Sequence, residues 1–355
     1  MQLGAIDQGT TSTRALMLSA AKAEVCATFT HQQFYPSSGW VEHDPRELLN
    51  NVIACSEALV SADVLGLANQ GESCLAWDRK TGQPISPVIV WQDNRTANIT
   101  NKLKKEGHEE RVKALSGLPL DPYFSASKLA WILANVPEAK DLLREKRLAL
   151  GTTDAFFMQN LIGRFVTDVT TASRTSLMNL QTMEWDDELC NLFGVPLETL
   201  PEILATQDEF GELKVKGRKI PLRASVVDQQ ASLYGHDCRN VGDAKITLGT
   251  GAFALVINGD SPEMNEAHGL LPTVAWRLGG EAPVYALDGG VYNAASAVNW
   301  ARGLGLFSEY QEINTFEKPA AIDRGLTFVP ALSGLACPHW QRETRACFEG
   351  MSLDT

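Results

Sequence analysis

Short apolar runs alternate along this chain with turns built of small polar residues. Leu3-Gly4-Ala5-Ile6 leads into Asp7-Gln8-Gly9-Thr10-Thr11-Ser12-Thr13-Arg14, and a second apolar run, Ala15-Leu16-Met17-Leu18, follows. Two such runs around a glycine and hydroxyl residues predict two strands joined by a hairpin. The pattern recurs about one domain length later, where Ala244-Lys245-Ile246-Thr247-Leu248 reaches Gly249-Thr250-Gly251 and continues as Ala252-Phe253-Ala254-Leu255-Val256-Ile257. Val64-Leu65-Gly66-Leu67-Ala68 and Val88-Ile89-Val90-Trp91 predict buried strands, each ending in a polar loop, Asn69-Gln70-Gly71-Glu72-Ser73 and Gln92-Asp93-Asn94-Arg95-Thr96. In open α/β sheets ligands bind beyond the carboxyl ends of strands, so both loops are site candidates.

Helix signals lie between these strands. Asp44 as N-cap, Pro45 at N1 and Glu47 at N3 predict a capping box ahead of an apolar face of Leu48, Leu49, Val52, Ile53 and Leu59. Asp121-Pro122-Tyr123-Phe124 precedes a helix bearing Leu129, Trp131, Ile132 and Leu133. The acidic run Asp186-Asp187-Glu188 reads as the cap of a helix carrying Leu189, Leu192 and Phe193 rather than as a metal site. Ser225-Val226-Val227 predicts a strand running into Asp228, which is an N-cap by default and a base if it faces a cleft.

Composition narrows the function. The 355 residues suffice for two domains, and a net charge of −12 argues against nonspecific nucleic-acid binding. Seven scattered cysteines without a C-x-x-C pair suggest reduced thiols, and the absence of a leader-like start or a bilayer-length apolar run predicts a cytoplasmic protein without a membrane span. In the first hairpin, Gly9 lets backbone approach a phosphate, Thr10, Thr11 and Ser12 offer hydroxyl and amide donors, and Asp7 can hold a hydrated magnesium ion. One such loop is equally an ordinary hairpin; two of them would suit a nucleotide clamped between domains.

Several stretches together carry a resemblance. Asp7-Gln8-Gly9-Thr10-Thr11-Ser12, Gly39-Trp40-Val41-Glu42-His43-Asp44-Pro45, Val90-Trp91-Gln92-Asp93, Asp121-Pro122-Tyr123-Phe124-Ser125 and Asp228-Gln229-Gln230-Ala231 fall in the order and spacing of the glycerol kinases of the FGGY carbohydrate kinase family. Ala172-Ser173-Arg174-Thr175 and Gly249-Thr250-Gly251 are further landmarks. The resemblance implies an α/β, actin-like, ribonuclease-H-like fold of two domains, 1–236 and 237–355, and ATP-dependent phosphorylation of glycerol to glycerol 3-phosphate with Mg2+. By the same resemblance Asp228 is the base. Glu72, Tyr123 and Gln229 bind the polyol hydroxyls, and Trp91 faces its carbons. Thr10, Thr11, Ser12, Arg14 and Thr250 contact phosphates, Asp7 holds the metal, and a homo-oligomer is expected.

The sequence departs from the family pattern in three ways. Gly71 stands where the N-Q-R-E-T motif has arginine, which predicts weak glycerol binding that Gly71→Arg would restore. Val227 replaces a glycine before the catalytic aspartate, and Ala295 and Asn299 replace a glycine and a glutamine near the nucleotide. The family's second domain is about as long as its first, whereas this sequence runs to Thr355, so its adenosine pocket is expected to be missing and its second domain marginal, with exposed apolar surface and strand edges. Three readings stay open here: a glycerol kinase, a kinase of another small polyol or sugar, and a noncatalytic fragment that retains a ligand cleft.

Overall fold

The computed structural model describes residues 1–20, 22–264, 269–315 and 319–352. Both predicted hairpins form. Leu3–Gln8 pairs antiparallel with Ser12–Leu18, and Ala244–Leu248 with Ala252–Gly259. Ala23–Thr30 adds to the first hairpin, while Val64–Asn69 and Arg218–Val227 join on its other side as parallel strands. Gln207–Val215 completes a six-stranded sheet in which three antiparallel strands are followed by two parallel to the first.

This topology positions the site. Leu3–Gln8, Val64–Asn69 and Arg218–Val227 run the same way, with Gln8 and Val227 both in register with Asn69. Their carboxyl ends therefore share one sheet edge, and the loops after Gln8 and Asn69 emerge there beside Asp228. The helices Pro45–Ala58 and Thr153–Ile162 fix the sheet through one core, in which Leu48, Val52, Phe156 and Phe157 meet Ile6, Leu65 and Leu222. Burial of side chains this size contributes about 1.5–3 kcal/mol each, so this core rather than the loops holds the edge in place.

The second sheet is antiparallel, in the order Ala244–Leu248, Ala252–Gly259, Val284–Val291, Leu271–Trp276. A smaller core of Leu255, Ile257, Ala275 and Trp276 lies beneath it, joined by Leu233 of the helix Asp228–Gly235. At its edge, Ile246 and Leu248 are 67% and 80% exposed, as expected of an uncovered strand.

Local readings fare unevenly. Asp44 caps its helix by accepting from the Arg46 N–H at 2.8 Å, and Asp186 caps the helix Asp187–Phe193. The capping box fails: the Glu47 carboxylate turns outward and accepts from the Gln32 backbone N–H at 3.3 Å. Asp228 is not an N-cap either; it is the first helical residue, and Val227 holds the cap position. All seven cysteines are free. Among the described residues, no helix is long and apolar enough to cross a membrane.

Candidate active site

A cleft of about 400 Å³ opens between the two sheets and brings together eight of the eleven residues expected from sequence: Thr10, Thr11, Glu72, Trp91, Tyr123, Asp228, Gln229 and Thr250. Both hairpin turns reach it, so the separation in sequence closes in space. Gly251 is required at the second turn, because a Cβ there would lie 2.6 Å from the Val291 carbonyl oxygen. The Thr250 carbonyl accepts from Ala294 N–H and from the Ser296 hydroxyl at 2.9 Å, which ties this turn to the start of the helix Ala295–Gly303.

Three expected residues do not line the cleft. Ser12 begins its strand in a buried position, and Arg14, exposed on the same strand, stands across from Asp7 with 3.9 Å between Nη1 and Oδ2. Asp7 lies beneath the first turn. Burial raises its carboxyl from the ordinary range, and the nearby Arg14 offsets that only in part. A carboxylate whose charge burial disfavours despite one arginine beside it fits a divalent cation. Magnesium asks for one or two carboxylates, with water and phosphate supplying the other ligands. Among the described residues, no three His, Cys, Asp or Glu side chains gather as a metal cage.

Asp228 stands where charge is costly. Burial first, then the Asp7 and Glu72 charges, push its carboxyl up to about 7, while Lys245 draws it down. A base poised there is ionised for much of the time at neutral pH and still takes a proton readily. Behind it the strand end is held firmly: Val227 N–H donates to Thr170 Oγ1 at 3.0 Å, and that hydroxyl donates to Asp168 Oδ2 at 2.7 Å.

The structure adds site residues that sequence reasoning missed. Arg174 lies between two carboxylates, donating from Nε to Glu72 Oε1 at 2.6 Å and from Nη2 to Asp288 Oδ2 at 2.8 Å, while its Nη1 is buried without a partner. Burial opposes its charge, yet the two carboxylates hold its pKa above the ordinary value. Glu72 itself adopts φ 57°, a left-handed conformation that non-glycine residues rarely take, and strain of this kind clusters at working sites. Lys245 donates to Gln229 Oε1 at 2.5 Å and to Thr247 Oγ1 at 2.7 Å, so it orients Gln229 from the second sheet. Arg174 belongs to a stretch already singled out by its spacing; Asp288 and Lys245 give no comparable signal.

Trp91 lines the cleft and also makes contacts that the sequence did not indicate. Its indole N–H donates to Thr10 Oγ1 at 3.0 Å, and its ring meets Tyr123 and Phe253 edge to face at 5.7 and 5.9 Å. The indole thus joins the first turn to Tyr123 and to Phe253 of the second sheet. His31 supports the same turn by donating from Nε2 to the Thr10 carbonyl at 2.9 Å.

Comparison with known proteins decides the family. The N-terminal domain of the FGGY family of carbohydrate kinases matches residues 2–235, and the C-terminal domain of that family matches residues 244–355. The chain belongs to the FGGY family of carbohydrate kinases. Among FGGY relatives, it is 41% identical to a glycerol kinase of Burkholderia multivorans over 99% of this chain and 73% of the relative. It is 40% identical to a glycerol kinase of Haloferax volcanii, covering 99% of this chain and 74% of that one. A solved Plasmodium falciparum glycerol kinase with ADP superposes with a TM-score of 0.88 at 30% identity, covering all of this chain and 73% of the other. A gluconate kinase from Lactobacillus acidophilus shares the fold, with a TM-score of 0.86 at 23% identity. The ribonuclease-H-like pairing of the first sheet is therefore that of an FGGY kinase.

Proposed function

We propose that this chain transfers the terminal phosphoryl group of ATP to glycerol, giving glycerol 3-phosphate and ADP, with Asp228 as the base. The observation that carries the reading is the single cleft in which Asp228 faces both small-residue turns. The relatives named as glycerol kinases at about 41% identity supply the substrate, and Asp228, Glu72, Tyr123 and Gln229 supply a polar set suited to a small polyol. The noncatalytic alternative has no comparable support.

Glu72, Tyr123 and Gln229 orient the hydroxyl groups, with Arg174 and Lys245 fixing the geometry of Glu72 and Gln229. A substrate hydroxyl attacks the terminal phosphorus, the new O–P bond forms as the bond to ADP breaks, and the hydroxyl proton passes to Asp228 Oδ. Phosphoryl transfer has a loose transition state, so alignment of that hydroxyl contributes more than early proton removal. The turns at Thr10, Thr11 and Thr250 hold phosphate oxygens, residues 1–236 carrying one turn and 237–355 the other. Ser12 and Arg14 act indirectly, through strand and Asp7. Magnesium held through Asp7 would neutralise charge on the transferring phosphate.

Asp228→Asn tests the assignment. ADP release with glycerol should fall by roughly 10²–10⁴ in kcat, while calorimetric glycerol affinity stays near that of the parent. An undiminished rate would remove Asp228 from the chemistry.

A further inference from the structure

Two cleft-lining positions, Gly71 and Val227, meet in space. A Cβ built on Gly71 would lie 3.1 Å from Val227 Cγ1 and 3.7 Å from Cγ2. Gly71 does not have positive φ, so no backbone requirement explains the glycine. Space explains it. Val227 occupies the volume that a side chain at 71 would enter, and it cannot easily yield. It is 3% exposed, its branched side chain is stiff, and its N–H is fastened to the Thr170–Asp168 network.

We propose that Gly71 and Val227 are one steric unit that sets substrate specificity, an apolar wall beside Asp228 and Glu72, so that the chain accepts small diols and deoxy polyols lacking one hydroxyl about as well as glycerol. The proposal rests on the phosphoryl-transfer reading above. A hydroxyl brought against the valine methyl groups leaves water without gaining a partner, whereas a C–H or methyl group there loses nothing. A site that reads a hydroxyl through a hydrogen bond rejects analogues lacking it by large factors; an apolar wall discriminates weakly. Arg174, which lines the cleft, is already committed to Glu72 and Asp288 through two of its nitrogens, and Lys245 beside it to Gln229 and Thr247. The steric pairing also changes the expectation for Gly71→Arg, which on its own drives a side chain into Val227.

The test is a double-mutant cycle of the parent, Gly71→Arg, Val227→Gly and the combined variant. Each is measured calorimetrically and by ADP release with glycerol, propane-1,2-diol and propane-1,3-diol. The parent should favour glycerol over the better diol by less than about tenfold. The combined variant should raise that preference roughly ten- to hundredfold, the value of a charged donor, while Gly71→Arg alone gains no glycerol affinity. Gly71→Ser supplies a milder steric probe by thermal melting: it should lower the melting temperature in the parent and less so in Val227→Ala. Additive effects at the two positions, or a parent that prefers glycerol over both diols by more than a hundredfold, would overturn the proposal. If no polyol is turned over, the phosphoryl-transfer reading fails, and the binding and melting cycles still decide the steric unit.

Discussion

Asp228, the base proposed above, takes its acidity from what surrounds it: burial, Asp7 and Glu72 raise its carboxyl to about 7. A base must be ionised to accept a proton, so kcat/KM should rise with pH through about 7 and level off above it. Glu72→Gln removes one of the raising charges and should move that acid limb to lower pH, whatever it does to the maximum rate. An unmoved limb in the pH profile of this variant would assign it to another group. The side chains of this site that were legible in sequence are those whose chemistry demands a residue type at a fixed place in a motif: Thr10, Glu72, Tyr123, Asp228 and Thr250. Arg174 was visible as a landmark without a role, because its role depends on partners 102 and 114 residues away. Lys245 stands in sequence as one polar position of a strand before a hairpin turn, and only folding brings it to Gln229.

At the scale of elements, hairpins were readable because both strands and the turn are contiguous, whereas the parallel pairing that aligns Gln8, Asn69 and Val227 joins segments from distant parts of the chain. Caps were readable where one side chain meets the next turn, as at Asp44, and misread where a tertiary partner competes, as at Glu47. A histidine pair behind the first turn gives a prediction of its own. His43 is buried, donates from Nδ1 to the Gln32 carbonyl at 3.0 Å and stands edge to face with His31, 4.8 Å between ring centres. Burial lowers its pKa to about 4, with the nearby His31 adding to that, and burial lowers His31 as well. The folded pKa of His43 lies below the unfolded value of about 6.5, so its stability contribution is complete above pH 6.5. It is lost as pH falls toward 4, on the order of 3 kcal/mol in all. Thermal melting between pH 7 and 4.5 should show a steeper acid loss for the parent than for His43→Asn, whose amide can replace the Nδ1 donor. Parallel curves for the two proteins would mean that protonation of His43 does not drive the loss.

For the molecule as a whole, the cleft works only if two sheets with separate cores keep a defined relation. Between the part of the chain that carries the first sheet and the part that carries the second, side chains meet at Arg174 to Asp288, Ser173 to Thr273 and Arg342 to Asp121. The last pair lies outside the residues that line the cleft. Arg342 donates from Nη2 to Asp121 Oδ1 at 2.8 Å and from Nε to Oδ2 at 3.2 Å, and it stacks over the Tyr292 ring at 3.9 Å. Asp121 is 2% exposed at its side chain and also accepts the Tyr123 N–H at 2.8 Å, so one carboxylate both pairs with Arg342 and seats a cleft-lining tyrosine. Removing one partner of a buried pair leaves an uncompensated charge, which typically costs about 3–5 kcal/mol, far more than an exposed pair is worth. Arg342→Ala should therefore lower the melting temperature by several degrees and, through Tyr123, raise the KM for glycerol more than it lowers kcat. Arg342→Met separates the causes, because it keeps apolar packing on Tyr292 while leaving Asp121 unpaired. Melting as low as that of the alanine variant would assign the effect to the charge, and recovery to the parent value would assign it to packing. An alanine variant with the parent's melting temperature and KM would mean that the other crossings alone hold the two sheets and that this ion pair has no part in the cleft.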